Sequence, residues 1–317
     1  MKNSLIEQAA QRLEQLRQAG AEMATAAPAD AGVQRASQPV EQVTPAPEAE
    51  LTTPLLSRRV EIDLEAIALA GIVSPNAPRS QIADQFRVIK RPLISNAMGK
   101  GPTPIENGNL IMVTSALPGE GKSFTAINLA MSMATELDYT VMLVDADVAR
   151  PSVMSMLGLV SGPGLLDLVF DESKDLSDML LKTNIEKLTL LPSGTPHAKA
   201  TELLASDSMI RLLKDMANRY ADRIIIFDSP PLLLTTEARV LASHMGQIVM
   251  VVQAEKTLQS EVRQALATIE SCPVKLMLLN QAKTFSHGKY GYGYGYGYGY
   301  GYGGGYGGGY GSVQPAL

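Results

Sequence analysis

The 317-residue sequence contains no tryptophan, one cysteine, three histidines and five phenylalanines. A lone cysteine, Cys272, closes no internal disulfide, and nothing resembles paired metal ligands. A reducing cytosolic compartment fits, with a buried structural thiol. Long apolar runs are missing too: stretches such as Ile248 to Val252 fall far short of the roughly 20 residues of a bilayer-crossing helix. The N-terminal stretch lacks a signal-peptide apolar segment, so any membrane recruitment is expected through a partner. Dense Lys/Arg runs are also absent, and the net charge is -5, so nucleic acid is not an expected partner.

What is present divides the chain into four parts. In residues 1–20, Leu5, Ile6, Ala9, Leu13 and Leu16 share one helical face, Ser4 and Glu7 have capping-box spacing, and Gly20 supplies a stop. Residues 21–54 turn to Ala, Pro, Thr, Gln and Glu, with too few large apolar side chains to offset the entropy of ordering, and are expected to form a disordered linker. A helix beyond such a linker either frays or docks onto something. Residues 55–286 carry one α/β domain, and residues 287–317 a Tyr/Gly tail.

Within the domain, short apolar runs alternate with helical segments. Asn109 to Ser115, Thr140 to Asp145, Lys187 to Leu191, Arg223 to Asp228, Gln247 to Gln253 and Lys275 to Asn280 read as buried strands. Lys122 to Leu137, Asp207 to Tyr220, Thr236 to His244 and Leu258 to Glu270 read as helices. This predicts a mostly parallel sheet with helices on both faces and a ligand site at the carboxyl ends of the strands.

The chemistry-bearing motifs fall at those ends. Ala116-Leu117-Pro118-Gly119-Glu120-Gly121-Lys122-Ser123 follows a predicted strand and opens a helix, as a P-loop does, with Ala116 in place of the usual first glycine. Glycines let the backbone of Pro118 to Phe124 curl so that its N–H groups, from Gly119 onward, face phosphate, and the helix adds its positive end. Lys122 is placed to reach the β- and γ-phosphates of ATP, and Ser123 to ligate Mg2+. A ligand-free glycine-rich turn is the plainer alternative, disfavoured by strand, loop, Gly-Lys-Ser and helix occurring together. Two further strands run out of the core into Asp145-Ala146-Asp147 and Asp228-Ser229-Pro230-Pro231. A carboxylate there is expensive to desolvate unless it meets a cation, so Asp228 reads as a magnesium-directed carboxylate, with Asp145 and Asp147 positioning metal and nucleophile. Asn280 and Gln281, at the end of the last strand, stand where an adenine contact could form.

Nine of the eleven tyrosines crowd the tail: Tyr290, Tyr292, Tyr294, Tyr296, Tyr298, Tyr300 and Tyr302 alternate with glycine, followed by Tyr306 and Tyr310. Such glycine density holds no stable element, and a segment of this kind is expected to be mobile enough to enter an active site. Phosphorylating all nine adds roughly -14 to -18 charges, far above the starting charge. The alternative is a sticky low-complexity tail without phosphate chemistry.

The order Pro118-Gly119-Glu120-Gly121-Lys122-Ser123, Asp145-Ala146-Asp147, Asp228-Ser229-Pro230-Pro231 and then a tyrosine cluster resembles the bacterial protein-tyrosine kinases, or BY-kinases. Within them the chain is most similar to soluble autokinases of exopolysaccharide and exosortase-associated (XrtA-type) gene clusters. The resemblance covers about Ser80 to the C-terminus and implies a P-loop NTPase fold with ATP and Mg2+ as cofactors. It implies autophosphorylation between subunits of a ring and control of polysaccharide polymerisation and export. The implied partners are a Wzz-type chain-length regulator of the inner membrane and a protein-tyrosine phosphatase. It places a general base and magnesium contacts on Asp145 and Asp147, and a subunit-assembly role on the helical set Asp84, Arg87 and Lys90. The family's arginine two places after the second aspartate falls here on Ala149, with Arg150 following. Two alternatives stay open: a nucleotide-switched partition or septum-positioning ATPase, whose signature lysine is Leu117 here, and a nucleotide-binding scaffold without kinase activity.

Overall fold

The computed structural model describes residues 58–75, 80–219 and 222–283. The expected N-terminal helix and linker and all nine tail tyrosines lie outside the described residues.

Seven strands form one sheet in the order β3-β4-β2-β5-β1-β6-β7. They are β1 (Leu110–Ser115), β2 (Thr140–Asp145), β3 (Leu181–Lys182), β4 (Leu188–Leu191), β5 (Arg223–Asp228), β6 (Gln247–Gln253) and β7 (Val274–Asn280). Every pairing is parallel except β3 with β4. The central strands are buried along their length save for Arg223 and Gln253 at strand ends, as near-continuous Ile, Val, Leu and Met runs require when both faces are covered. Because side chains alternate across a strand, each feeds two apolar layers. Met112, Met142, Ile225 and Phe227 enter one, and Ile111, Leu143, Ile224 and Val249 the other.

The helices are α1 (Leu64–Leu69), α2 (Gln81–Ala97), α3 (Lys122–Ala134), α4 (Val153–Met156), α5 (Leu165–Phe170), α6 (Leu176–Met179), α7 (Ala200–Leu204), α8 (Asp207–Arg219), α9 (Glu237–Ala242) and α10 (Gln259–Ala267). All six expected strands and four expected helices are present, with ends shifted by a few residues. Helix α3 stops at Ala134 rather than Leu137, whose side chain is 86% exposed and contributes nothing to the apolar stripe. Helices α1, α4, α5, α6 and α7 and the two-residue strand β3 escaped the sequence reading because pieces this short show little period; the six-residue α9 was read as part of a longer segment, Thr236 to His244.

The set Asp84, Arg87 and Lys90 does fall on a helix, α2, but not on one face. Asp84 and Arg87 are exposed and paired at 2.7 Å. Lys90 is turned inward, only 3% exposed, in line with Phe86, Leu93 and Ile94. Its position four after Phe86 and three before Leu93 puts it on the buried stripe. There its ammonium donates to the Ser132 carbonyl and, at 3.2 Å, to Thr135 Oγ1, and it pairs with Glu136 at 2.8 Å. Burial alone would raise the Glu136 pKa, but Lys90, Arg91 and Arg87 more than offset it and hold it below the ordinary value. A cation at the carboxyl end of α3 meets that helix's negative pole, so α2 is tied to the helix that begins at the P-loop.

Replacing Lys90 by Ala is therefore expected to lower unfolding stability by about 1–3 kcal/mol, whereas Arg87→Ala stays within about 0.5 kcal/mol. Urea denaturation of the two variants checks this, and comparable small losses would contradict the inward role of Lys90.

Candidate active site

Strand order places the motifs side by side. Strand β5 lies between β1 and β2, and in the β2/β5 register Asp145 stands opposite Asp228. Two carboxylates therefore leave the core at one level, beside the loop that follows β1.

That loop is braced from within. Glu120 is 2% exposed; its Oε2 accepts from the Leu117 amide at 2.7 Å and its Oε1 from the Thr257 hydroxyl. The side chain thus faces away from any phosphate, which a carboxylate would repel, and leaves only the backbone of Glu120 for a ligand. Gly121 has φ +95°, and a Cβ there would sit 2.1 Å from Asn280 Nδ2. Only glycine fits on both counts. Asn280 Nδ2 donates to the Glu120 carbonyl at 2.9 Å and Gln281 Nε2 to that of Gly119 at 3.4 Å. Both residues for which an adenine contact is expected brace the loop. Gly121 also stands at the N-cap of α3 without a side-chain cap, so the first-turn amides are left for an anion.

Three aspartates surround one ammonium group. Lys122 Nζ lies 2.6 Å from Asp147 Oδ2 and 3.8 Å from Asp228 Oδ1, the latter too far for a hydrogen bond. Asp145 Oδ2 accepts from the amides of Ser152 (3.1 Å) and Val153 (3.0 Å). Asp145 Oδ1 and both oxygens of Asp228 are buried without a hydrogen-bond partner, as is Thr125 Oγ1. Burial is the main reason the Asp145 pKa rises to about 6, with Asp147 adding repulsion and the two amides pulling back. Burial likewise lifts Asp228 to about 7, against the opposing pull of Lys122.

Orphaned carboxylate oxygens beside a serine hydroxyl and a lysine suit a divalent cation that arrives with phosphate. Among the described residues no group of three or more His, Cys, Asp or Glu forms a metal site by itself. Mg2+ carried by a nucleotide needs only one or two protein ligands, since phosphates and water supply the rest. Ser123, Asp228 and Asp145 are the residues that could hold it.

The other sequence candidates divide. The side chain of Phe124 turns from the loop into an apolar groove of about 670 Å³ that also includes Phe86, Ile89, Leu276 and Leu278, leaving only its backbone toward phosphate. Ala149 and Arg150 are exposed on the turn after Asp147, where the Arg150 amide donates to Asp147 Oδ1 at 3.1 Å. Two site residues escaped the sequence reading. Thr257 lies in a loop and carries no motif. Ser152 precedes a short helix and reads as an ordinary cap, yet its hydroxyl lies 2.8 Å from Ser123 Oγ.

Comparison with known proteins gives this arrangement a family. The AAA domain family matches residues 108–281, more than half of the chain. The tyrosine-protein kinase YwqD of Bacillus subtilis (strain 168) is 30% identical over 224 residues, covering 70% of this chain and 90% of that protein. The chain belongs to the bacterial tyrosine-protein kinases. Among solved structures, the chimerical protein CapA2B2 matches at 28% identity and TM-score 0.55, over 68% of this chain and 92% of that one. The VpsO kinase domain matches at 26% identity and TM-score 0.53, over 63% and 96%. Membership in this kinase family sets aside the partition-ATPase alternative. Among the described residues no helix is long and apolar enough to cross a membrane.

The raised Asp228 pKa has a consequence for stability. An acid held protonated by the fold contributes most below its unfolded value of 3.8, and that contribution is lost as pH rises through about 7. In EDTA without nucleotide, Asp228→Asn is expected to melt a few degrees above the wild type at pH 8, with the gap closing toward pH 5. Thermal scans across that range check it, and a lower melting temperature for the variant at pH 8 would contradict it.

Proposed function

We propose that this protein is an ATP- and magnesium-dependent tyrosine autokinase that phosphorylates its own C-terminal tyrosine cluster, in trans within an oligomer, and thereby regulates exopolysaccharide polymerisation and export. The observation that carries the reading is the pocket of Lys122, Asp145, Asp147 and Asp228 at the P-loop, in a chain that also holds nine clustered tyrosines. Membership in the tyrosine-protein kinases supports the reaction type. The polysaccharide role, the ring, the chain-length regulator and the phosphatase rest on resemblance alone.

Mg2+ bound with ATP would draw negative charge from the phosphates and from Asp228. Lys122 would give up Asp147 for the β- and γ-phosphate oxygens, the loop amides of Gly119 to Ser123 would orient the same groups, and Ser123 and Asp228 would hold the cation. Asp145 keeps one oxygen free, and a pKa of about 6 suits a proton acceptor at neutral pH. It accepts the tyrosine hydroxyl proton, a role Asp147 shares once Lys122 has left it. The attacking oxygen is the tail hydroxyl itself, so the protein's part is positioning and electrostatics rather than covalent catalysis. Asp84 and Arg87 remain on an exposed face where a neighbouring subunit could be engaged, whereas the buried Lys90 supports that face from beneath.

Purified wild-type protein given ATP and Mg2+ is expected to gain phosphotyrosine in the tail. Lys122→Ala is expected to lose at least about 100-fold of the labelling rate. Replacing all nine tail tyrosines with Phe should abolish label while leaving affinity for Mg·ADP intact. Undiminished labelling of Lys122→Ala, measured by anti-phosphotyrosine detection and mass spectrometry, would refute the assignment; a wild type that binds nucleotide but never labels would be the scaffold.

A further inference from the structure

Ser152 stands at the start of α4, where a serine ordinarily accepts a hydrogen bond from a first-turn amide. Here it makes no capping bond. Its hydroxyl instead lies 2.8 Å from Ser123 Oγ, in the first turn of the P-loop helix. The backbone amide of the same residue donates to Asp145 Oδ2 at 3.1 Å, and the next amide, that of Val153, does so at 3.0 Å. One residue thus touches both the P-loop serine and the aspartate at the end of β2. Forgoing a cap destabilises a helix start, so the diverted hydroxyl calls for another role.

We propose that Ser152 is a positioning residue for the magnesium-nucleotide site: its hydroxyl accepts from Ser123 when Ser123 ligates the cation, and so couples occupancy of the P-loop to Asp145. This rests on the magnesium-nucleotide reading above. A free hydroxyl both donates and accepts, but one whose oxygen lone pair is engaged by a cation is left as a donor. The bond between the two serines must then run from Ser123 to Ser152. An acceptor in that place fixes the torsion of the Ser123 hydroxyl and aims its oxygen at the metal, as outer partners of metal ligands commonly do. Ser152 is itself held. Its carbonyl accepts from the Met156 amide at 3.0 Å and from Ser155 Oγ at 3.0 Å, and the following Val153, Met154 and Leu157 are buried in the core. A shift of Ser123 on ligation is therefore transmitted to the Ser152 amide and the carboxylate it holds, rather than dissipated in a loose loop.

The test compares the affinity of full-length wild type, Ser152→Ala and Ser152→Thr for Mg·ADP and for ADP in EDTA by isothermal titration calorimetry. Ser152→Ala is expected to weaken Mg·ADP binding by about 10-fold with ADP binding in EDTA unchanged. Ser152→Thr, which keeps the hydroxyl, is expected to restore it. Should the Ala variant not fold, Ser152→Gly removes the hydroxyl at a position where glycine is tolerated, and carries the same expectation. Equal Mg·ADP affinity in wild type and hydroxyl-free variant overturns the proposal while leaving the proposed function standing. Equal losses with and without magnesium overturn it too, because they mark a merely structural role. A wild type that binds no Mg·ADP overturns the underlying reading of the site, and this proposal with it.

Discussion

The structure depends on concentrated negative charge that the fold buries and that, among the described residues, Lys122 counters. Asp145 and Asp228 end neighbouring strands in register, Asp147 follows two residues later, and Lys122 stands among them. In a low-dielectric interior, like charges at this separation cannot all be held ionised without a cation. Burial lifts the two strand-end acids toward neutrality for that reason. An arrangement kept at such a cost to the free protein makes sense as a receptor for charge brought from outside. A metal-bound polyphosphate would supply it in complementary halves: the cation for the carboxylates, the anion for the ammonium and amides.

The remainder of the domain serves to hold that pocket in place. Helix α3 presents its uncapped N-terminus to the loop, and its opposite end is closed by Lys90 reaching across from α2. The loop is fixed from within by its own Glu120 and from the other side by Thr257 and Asn280, which come from two separate stretches of chain. These contacts pre-set the backbone before any ligand arrives. Ligand binding then has less ordering entropy to overcome. Lys90 thereby ties the helix that carries the exposed pair Asp84–Arg87 to the helix that begins at the P-loop.

Much of this was legible in the sequence because the signals were long or compositionally sharp. Six apolar runs named the strands, and the change from apolar residues to Asp at Asp145 and Asp228 marked where each strand leaves the core. Gly119, Gly121, Lys122 and Ser123 named the loop. What escaped depends on which way a single side chain points. Lys90 looked like a surface charge until the helical phase of Phe86 and Leu93 set its direction. Phe124 sits in the motif but its side chain faces away from it, and Asn280 braces the loop across the sheet end. Ser152 went unread, since its bond to Ser123 joins residues far apart in sequence and leaves no local trace. Glu120 was counted with the phosphate-binding residues on spacing alone, and only the position of Thr257 shows that its carboxylate turns inward.

Asp228, held by burial at a pKa of about 7, is about half protonated at neutral pH in the free protein and would give up that proton when magnesium and nucleotide arrive. Proton release on binding measures this directly. Calorimetric titration of the full-length protein with preformed Mg·ADP, repeated at pH 7 in buffers of different ionisation enthalpy, is predicted to show release of about half a proton per chain, falling toward zero at pH 8.5. Binding whose heat is the same in every buffer, or no binding at all, would contradict the account.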